Sequence, residues 1–198
     1  MVIDEDILYQ MGATIENYNV SDFIFCENNI PSYYYQIAVG EVKLNNYNEE
    51  GKEIIQTILE SGESIGESLL FMDKPYPINA VALTACVIIK LSKSSFFLLL
   101  KKYPEISLDM NRCISQSLYF KFIMTQNICS QNPVSKLKTL MDYLKSFEIE
   151  KSPFSFQIPL TRQQMASLTG LCVETTIRTI KAMERNNMVK ICNRKILY

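Results

Sequence analysis

The chain changes its periodicity once, at Lys93, and that change restricts the fold more than any other feature. From about Thr14 to Lys93, short apolar runs (FIFCENN, YYYQIAVGEVKL, NNYNEEGKEIIQTI, LESGESIGESLLF and INAVALTACVIIKL) are separated by turn residues. Runs of this length and composition read as strands. Gly40, Gly51 and Gly62 recur every eleven residues between them, where successive strands joined by turns need positive φ. A compact β-roll or barrel is expected.

Beyond Lys93 the period is helical. SKSSFFLLLKKY is a short helix stopped at Tyr103 by Pro104, because the residue before proline is driven out of the helical region. From Glu105 to about Gln131 neither glycine nor proline interrupts the chain. A helix of about 25 residues reaches roughly 38 Å, longer than the adjoining β-unit needs. Its apolar residues follow three-to-four spacing, and Phe120, Phe122, Ile123 and Ile128 extend them onto more than one face. One side can pack on its own domain and another on a second copy. The expectation is a two-fold seam carried by Met110, Cys113, Ser117, Phe120 and Met124. The alternative is a core helix within a monomer.

Asn132–Pro133 closes that helix and opens a small domain. VSKLKTLMDYLKSF is again helical, FSFQIPL is a short strand with alternating Phe154, Phe156 and Ile158, and MVKICNRKILY folds as two strands around Asn193–Arg194. The expected layout is α+β, with a β-roll over 1–103, a long helix over 104–132 and a winged helical domain over 133–198.

The formal net charge of −1 conceals a division. Residues 1–132 hold 16 Asp/Glu and 9 Lys/Arg, a balance of −7, whereas 133–198 hold 5 and 11, a balance of +6. A basic C-terminal third on an acidic chain points to a polyanionic partner for that segment alone; a solvated lysine-rich surface is the plainer reading.

Histidine is absent, which removes imidazole ligands and the Ser/His and Cys/His nucleophile pairs. The six cysteines lie at least sixteen residues apart, so no close ligand pair marks a zinc or iron–sulfur site. No enzymatic constellation and no metal are expected. The chain has no long apolar span, and its start, MVIDEDILYQ, is acidic where a secretory signal is basic. A cytoplasmic protein without a membrane partner is expected.

The most informative stretch is LTRQQMASLTGLCVETTIRTIKAMERNN, from Leu160 to Asn187. Thr161 followed by Gln164 is a capping box that starts a helix at Arg162 with Met165, Ala166 and Leu168 inward. Gly170 ends it. A second helix runs from Val173 to about Asn186, with Ile180 and Met183 inward. Two short helices joined by a glycine-containing turn form a helix-turn-helix, whose second helix can lie in a major groove.

These residues strongly resemble the helix-turn-helix of the Crp/Fnr family of bacterial transcription regulators. VGEVKL, SGESIGESLLF, TACVIIKL and the helix after Pro104 resemble that family's cyclic-nucleotide-binding β-roll and dimer helix, so the likeness covers nearly the whole chain. The resemblance implies a homodimer on double-stranded DNA, contacting RNA polymerase if it is an activator. It also implies base contacts from Val173, Glu174, Ile177 and Arg178. Arginine can bond guanine O6 and N7 in parallel and glutamate can accept from cytosine, so a half-site containing a G·C pair follows. Valine before Glu174 looks Fnr-like. Spacing with Ile180 would bury Ile177; the resemblance turns it to the groove, which is the expectation taken. Phosphate contacts are expected from Thr161, Arg162, Gln163 and Thr175, and from Arg194 and Lys195 at the terminal hairpin. Lys181 and Arg185 read as ordinary solvated charges.

The resemblance places an effector pocket at Gly66, Glu67 and Ser68, but the arginine that would neutralise a cyclic phosphate is missing. Lys74 is the only cation between Phe71 and Ala85, and Tyr76 to Asn79 (YPIN) stand roughly where arginine and serine would. No cofactor is expected, and cAMP is disfavoured. Gly66–Glu67 also suits a turn glycine followed by an exposed glutamate. Control by another effector, or by thiol chemistry at Cys113 or Cys172, stays open. The other function considered is a small-ligand-binding regulator whose main output is not DNA binding.

Overall fold

A computed structural model describes residues 2–128 and 130–198, without the side chains of residues 127 and 128. The side chain of Ile128 and all of Cys129 therefore lie outside the described residues. The chain divides into two compact units, Met1–Ser117 and Leu118–Tyr198.

The first unit opens with α1 (Glu5–Gln10), where the Asp4 carboxylate accepts from the Asp6 amide at 2.9 Å. Seven strands follow: β1 (Thr14–Tyr18), β2 (Phe23–Phe25), β3 (Tyr33–Val39), β4 (Val42–Tyr47), β5 (Glu53–Leu59), β6 (Asn79–Ala82) and β7 (Cys86–Ser92). They form two antiparallel sheets ordered β1-β7-β3 and β2-β6-β4-β5. Two apolar clusters account for the unbroken apolar character of β3 and β7. Tyr35, Ile37 and Ile88 enter the cluster shared with β2, β4 and β6, while Tyr34, Ile89 and Leu91 enter a second with Phe96, Leu99, Ile106 and Met110. A strand buried on both faces has no reason to alternate. Gln36, also fully buried on β3, is satisfied by the backbone of Ile3, accepting at 3.0 Å and donating at 2.8 Å.

Gly40, Gly51 and Gly62 all hold positive φ, as their spacing predicts. At Gly40 a side chain would also collide, since its first carbon would lie 2.6 Å from the Cys86 sulfur. One expected extended run is different. In SGESIGESLLF, Gly66 takes φ +66°, and Glu67–Phe71 coil into a 3₁₀ turn. Left-handed backbone cannot propagate a strand.

Helix α2 (Lys93–Lys102) and helix α3 (Pro104–Ile128) stand where the period change puts them. The unit division falls within α3, and each half has its own core. Met110 is 2% exposed within the first unit's core, and Phe120 is 8% exposed within the second unit's core, its ring 4.6 Å from that of Tyr143. Both are covered by their own chain. Cys113 is half-buried, Met124 is half-buried against the second unit's core, and Ser117 is exposed. Among the described residues of α3, the apolar side chains left open are Leu108, Leu118, Tyr119 and Phe122. Within the second unit, at 3.6 residues per turn, Leu118, Tyr119 and Phe122 lie on the side of the helix away from Phe120 and Met124.

The second unit contains α4 (Pro133–Lys145), α5 (Arg162–Thr169), α6 (Val173–Arg185), β8 (Lys190–Cys192) and β9 (Lys195–Leu197). Asn132 caps α4, accepting from the Val134 amide at 3.0 Å. Phe120, Leu137, Leu140, Met141, Ile158, Met165, Ile180, Met183, Val189 and Ile196 make its core. The β8–β9 turn places Asn193 and Arg194 at positive φ, the geometry of a tight two-residue hairpin. FSFQIPL, expected as a strand, joins β9 only through amide–carbonyl bonds of Phe156 with Tyr198 and of Ile158 with Ile196.

Candidate nucleic-acid interface

The geometry of α5 and α6 starts from local chemistry. The Gln164 amide donates to Thr161 Oγ1 at 3.1 Å, and the Thr161 amide donates to Gln164 Oε1 at 2.7 Å, so both ends of the capping box are closed. Gly170 ends α5 at φ +70°. Left-handed glycine stops a helix at little steric cost. The chain turns, and α6 begins after Cys172, whose thiol lies 2.9 Å from the Thr175 hydroxyl.

Burial divides α6 cleanly. Thr176, Thr179, Ile180 and Met183 face the core, and Thr176 satisfies its hydroxyl on the Cys172 carbonyl at 3.1 Å. Glu174, Arg178, Lys181 and Arg185 are all exposed. They share one outward stripe, at spacings of three or four residues. Glu174 and Arg178 form no ion pair, and among the described residues Lys181, Arg185, Arg194 and Lys195 enter none either. Their donors and acceptors are turned to solvent. Val173 and Ile177 flank the stripe, half-buried, and neither is among the described residues packed on the core.

The expected phosphate-contacting residues are partly gathered. Arg162 Nη1 donates to the Arg194 carbonyl at 3.1 Å, tying the start of α5 to the β8–β9 turn. Thr161, Gln163, Arg194 and Lys195 are exposed. Thr175 is half-buried, its hydroxyl engaged with Cys172. Two features escape a reading by resemblance alone. Lys181 and Arg185 continue the Glu174–Arg178 stripe, seven and eleven residues beyond Glu174, a periodicity visible in the sequence. Glu184 Oε1 accepts from the Ile191 amide at 3.1 Å and so fixes β8 against α6, for which no local pattern exists.

The two candidate thiols differ. Hydrogen bonding to the Thr175 side chain and backbone lowers the pKa of Cys172. Burial raises that of Cys113, reinforced by the charges of Glu67, Glu63 and Asp109.

Of the expected effector residues, Ser68 is exposed, Gly66 is buried in the left-handed conformation, and Glu67 is only 7% exposed. A turn followed by an exposed glutamate is therefore not what forms. Among the described residues, no group of three or more Cys, Asp or Glu is placed to hold a metal, and no helix is long and apolar enough to cross a membrane.

Comparison with known proteins matches residues 15–103 to the cyclic nucleotide-binding domain and residues 138–198 to the Crp-like helix-turn-helix domain. The cAMP-activated global transcriptional regulator CRP of Haemophilus influenzae is 29% identical over 157 residues, covering 78% of this chain and 70% of that protein. The global nitrogen regulator of Synechocystis is 24% identical over 192 residues, covering 94% and 84%. Among solved structures, the c-di-GMP responsive global regulator CLP of Xanthomonas campestris superposes with a TM-score of 0.78 at 18% identity, covering 98% of each chain. CooA of Carboxydothermus hydrogenoformans gives 0.82 at 14% identity, covering 97% of this chain and 85% of that one. The curated relatives carry the names of regulators. With a nucleotide-binding-type β-roll followed by a helix-turn-helix whose second helix turns its charges outward, the chain belongs to the Crp/Fnr family of DNA-binding transcription regulators.

Proposed function

We propose that the chain acts as a homodimer on a pseudo-palindromic operator, reading each half-site with α6. The observation that carries this reading is the stripe of Glu174, Arg178, Lys181 and Arg185, exposed and unpaired above a fully packed inner face. Arg178 reads guanine in a G·C pair and Glu174 accepts from cytosine, with Val173 and Ile177 offering apolar contacts to thymine methyl groups. Thr161, Arg162, Gln163, Thr175, Arg194 and Lys195 bond phosphates and fix the register. Lys181 and Arg185, on the same stripe, add to the phosphate contacts.

The second copy docks along α3, where Leu118, Tyr119 and Phe122 of the second unit are exposed. Large apolar side chains exposed together on one helix are what a contact with a second copy would cover. Pairing then sets the two α6 helices about 34–36 Å apart, one duplex turn. An activator built this way would contact RNA polymerase from the DNA-bound dimer.

Footprinting of the purified chain on genomic DNA, with affinity measured against salt, tests the proposal. A protected palindrome is expected, with log affinity falling by about 0.9 per phosphate neutralised for each tenfold rise in salt. Salt-insensitive binding, or equal affinity for palindromic and random DNA, would exclude it.

A further inference from the structure

Residues 15–103 match the cyclic nucleotide-binding domain, and the residues present do not fit a cyclic nucleotide. The Gly–Glu step that the resemblance assigns to the ribose is covered from inside. The rings of Phe25 and Tyr76 stack with centroids 3.7 Å apart and planes 8° from parallel. They press directly on Gly66, where a first side-chain carbon would lie 3.1 Å from Phe25 Cζ and 3.3 Å from Tyr76 Cε1.

Tyr76 belongs to the stretch that stands where the phosphate-binding arginine and serine would be. Its backbone fixes it there. The Tyr76 amide donates to the Asn29 carbonyl and the Asn28 amide donates to the Tyr76 carbonyl, each at 2.8 Å. The side chain turns inward and is 2% exposed, in one cluster with Phe25, Tyr35 and Ile65. Its hydroxyl is buried without a hydrogen-bond partner among the described residues.

The charge balance is equally unsuited. Glu67 is buried; burial raises the pKa of Tyr76, with smaller contributions from Tyr35 and from the Glu67 carboxylate. Lys43 and Lys90 pair with Glu53 and Glu16, Lys93 lies 3.8 Å from the exposed Asp73, and Lys74 is exposed. Between Phe71 and Ala85, where the resemblance puts the phosphate, no guanidinium is present to receive it. Burying an anion on those terms is costly.

We infer that Tyr76, folded onto Phe25, is a built-in plug that fills the nucleotide position of the β-roll, so that the roll holds its form with no cyclic nucleotide bound. The aromatic stack supplies the apolar contacts that a purine would otherwise make there. A ligand that does not bind cannot shift a conformational equilibrium, so cyclic nucleotides leave the protein's state unchanged.

The test is titration of the full chain with cAMP and with cGMP, by calorimetry and by thermal unfolding. No saturable heat is expected, and a shift in Tm below about 1 °C at about 1 mM nucleotide. Saturable heat, or a Tm that climbs with nucleotide concentration, would overturn the inference. Tyr76→Phe keeps the plug and removes only the unpartnered hydroxyl, so its Tm should equal or exceed that of the parent. A fall of several degrees would mean that the hydroxyl is bonded in the folded protein, against a plug. Neither measurement uses DNA. Failure of the chain to bind any operator would count against the proposed function and leave this inference standing.

Discussion

The Arg162 guanidinium donates to the carbonyl of Arg194 at 3.1 Å, joining residues 32 positions apart in the chain. The bond holds the first turn of α5 and the tip of the β8–β9 hairpin together, and each carries residues assigned here to phosphate. Arg162→Ala removes both the tie and one cation. Affinity should fall by a similar factor on all sequences, and the salt slope should drop by about 1. Filter binding across a salt series measures both. A loss confined to one base pair would mean that Arg162 reads sequence instead.

Arg178 has the opposite expected profile. It is exposed on the outward stripe of α6 and has no ion-pair partner among the described residues. Arg178→Ala should erase about 1–3 kcal/mol of discrimination at one G·C pair while sparing weak nonspecific binding. Competition between operators substituted at single positions reads this out. Equal loss on every operator would reassign the residue to phosphate.

Phe120 and Phe122 separate folding from assembly. Phe120 is 8% exposed in the core of the second unit, and Phe122 is 58% exposed on the open side of α3. Phe120→Ala should destabilise that unit by about 3–5 kcal/mol, seen in urea unfolding. Phe122→Ala should change stability little but weaken self-association in sedimentation velocity. The reverse pattern would return the seam to the inner side of the helix.

The thiols should titrate apart. Cys172 is lowered by its bonds to Thr175, so a larger share is thiolate at neutral pH. Cys113 is raised by burial and by neighbouring carboxylates, so its thiolate appears only as the solution turns more alkaline. Iodoacetamide labelling between about pH 6 and pH 9, mapped by mass spectrometry, should modify Cys172 first and Cys113 only toward the alkaline end. Faster modification of Cys113 at neutral pH would contradict the environments described. Modified Cys172 should also bind DNA poorly, because the added group sits at the start of α6.

Much of the DNA-facing unit is legible in the sequence because its determinants are local. The Thr161–Gln164 capping box, the Gly170 stop, the inward Met165, Ile180 and Met183 and the Asn193–Arg194 hairpin each depend on residues within a few positions of one another. So do the positive-φ turns at Gly40, Gly51 and Gly62. Helix periodicity and turn sterics need no knowledge of the rest of the chain. Even Lys181 and Arg185 were within reach of that logic, since they repeat the spacing of Glu174 and Arg178.

What the sequence by itself left open was which apolar face meets which neighbour. Helix α3 is apolar on more than one side, so its periodicity describes a helix with two candidate cores and names neither. Only the packing decided that Met110 and Phe120 are covered by their own chain while Leu108, Leu118, Tyr119 and Phe122 stay open. The same holds for Glu67, drawn into the interior, and for Tyr76, turned onto Phe25 some fifty residues away. Burial is set by contacts between segments distant along the chain, and a pattern that repeats every few residues carries no information about them.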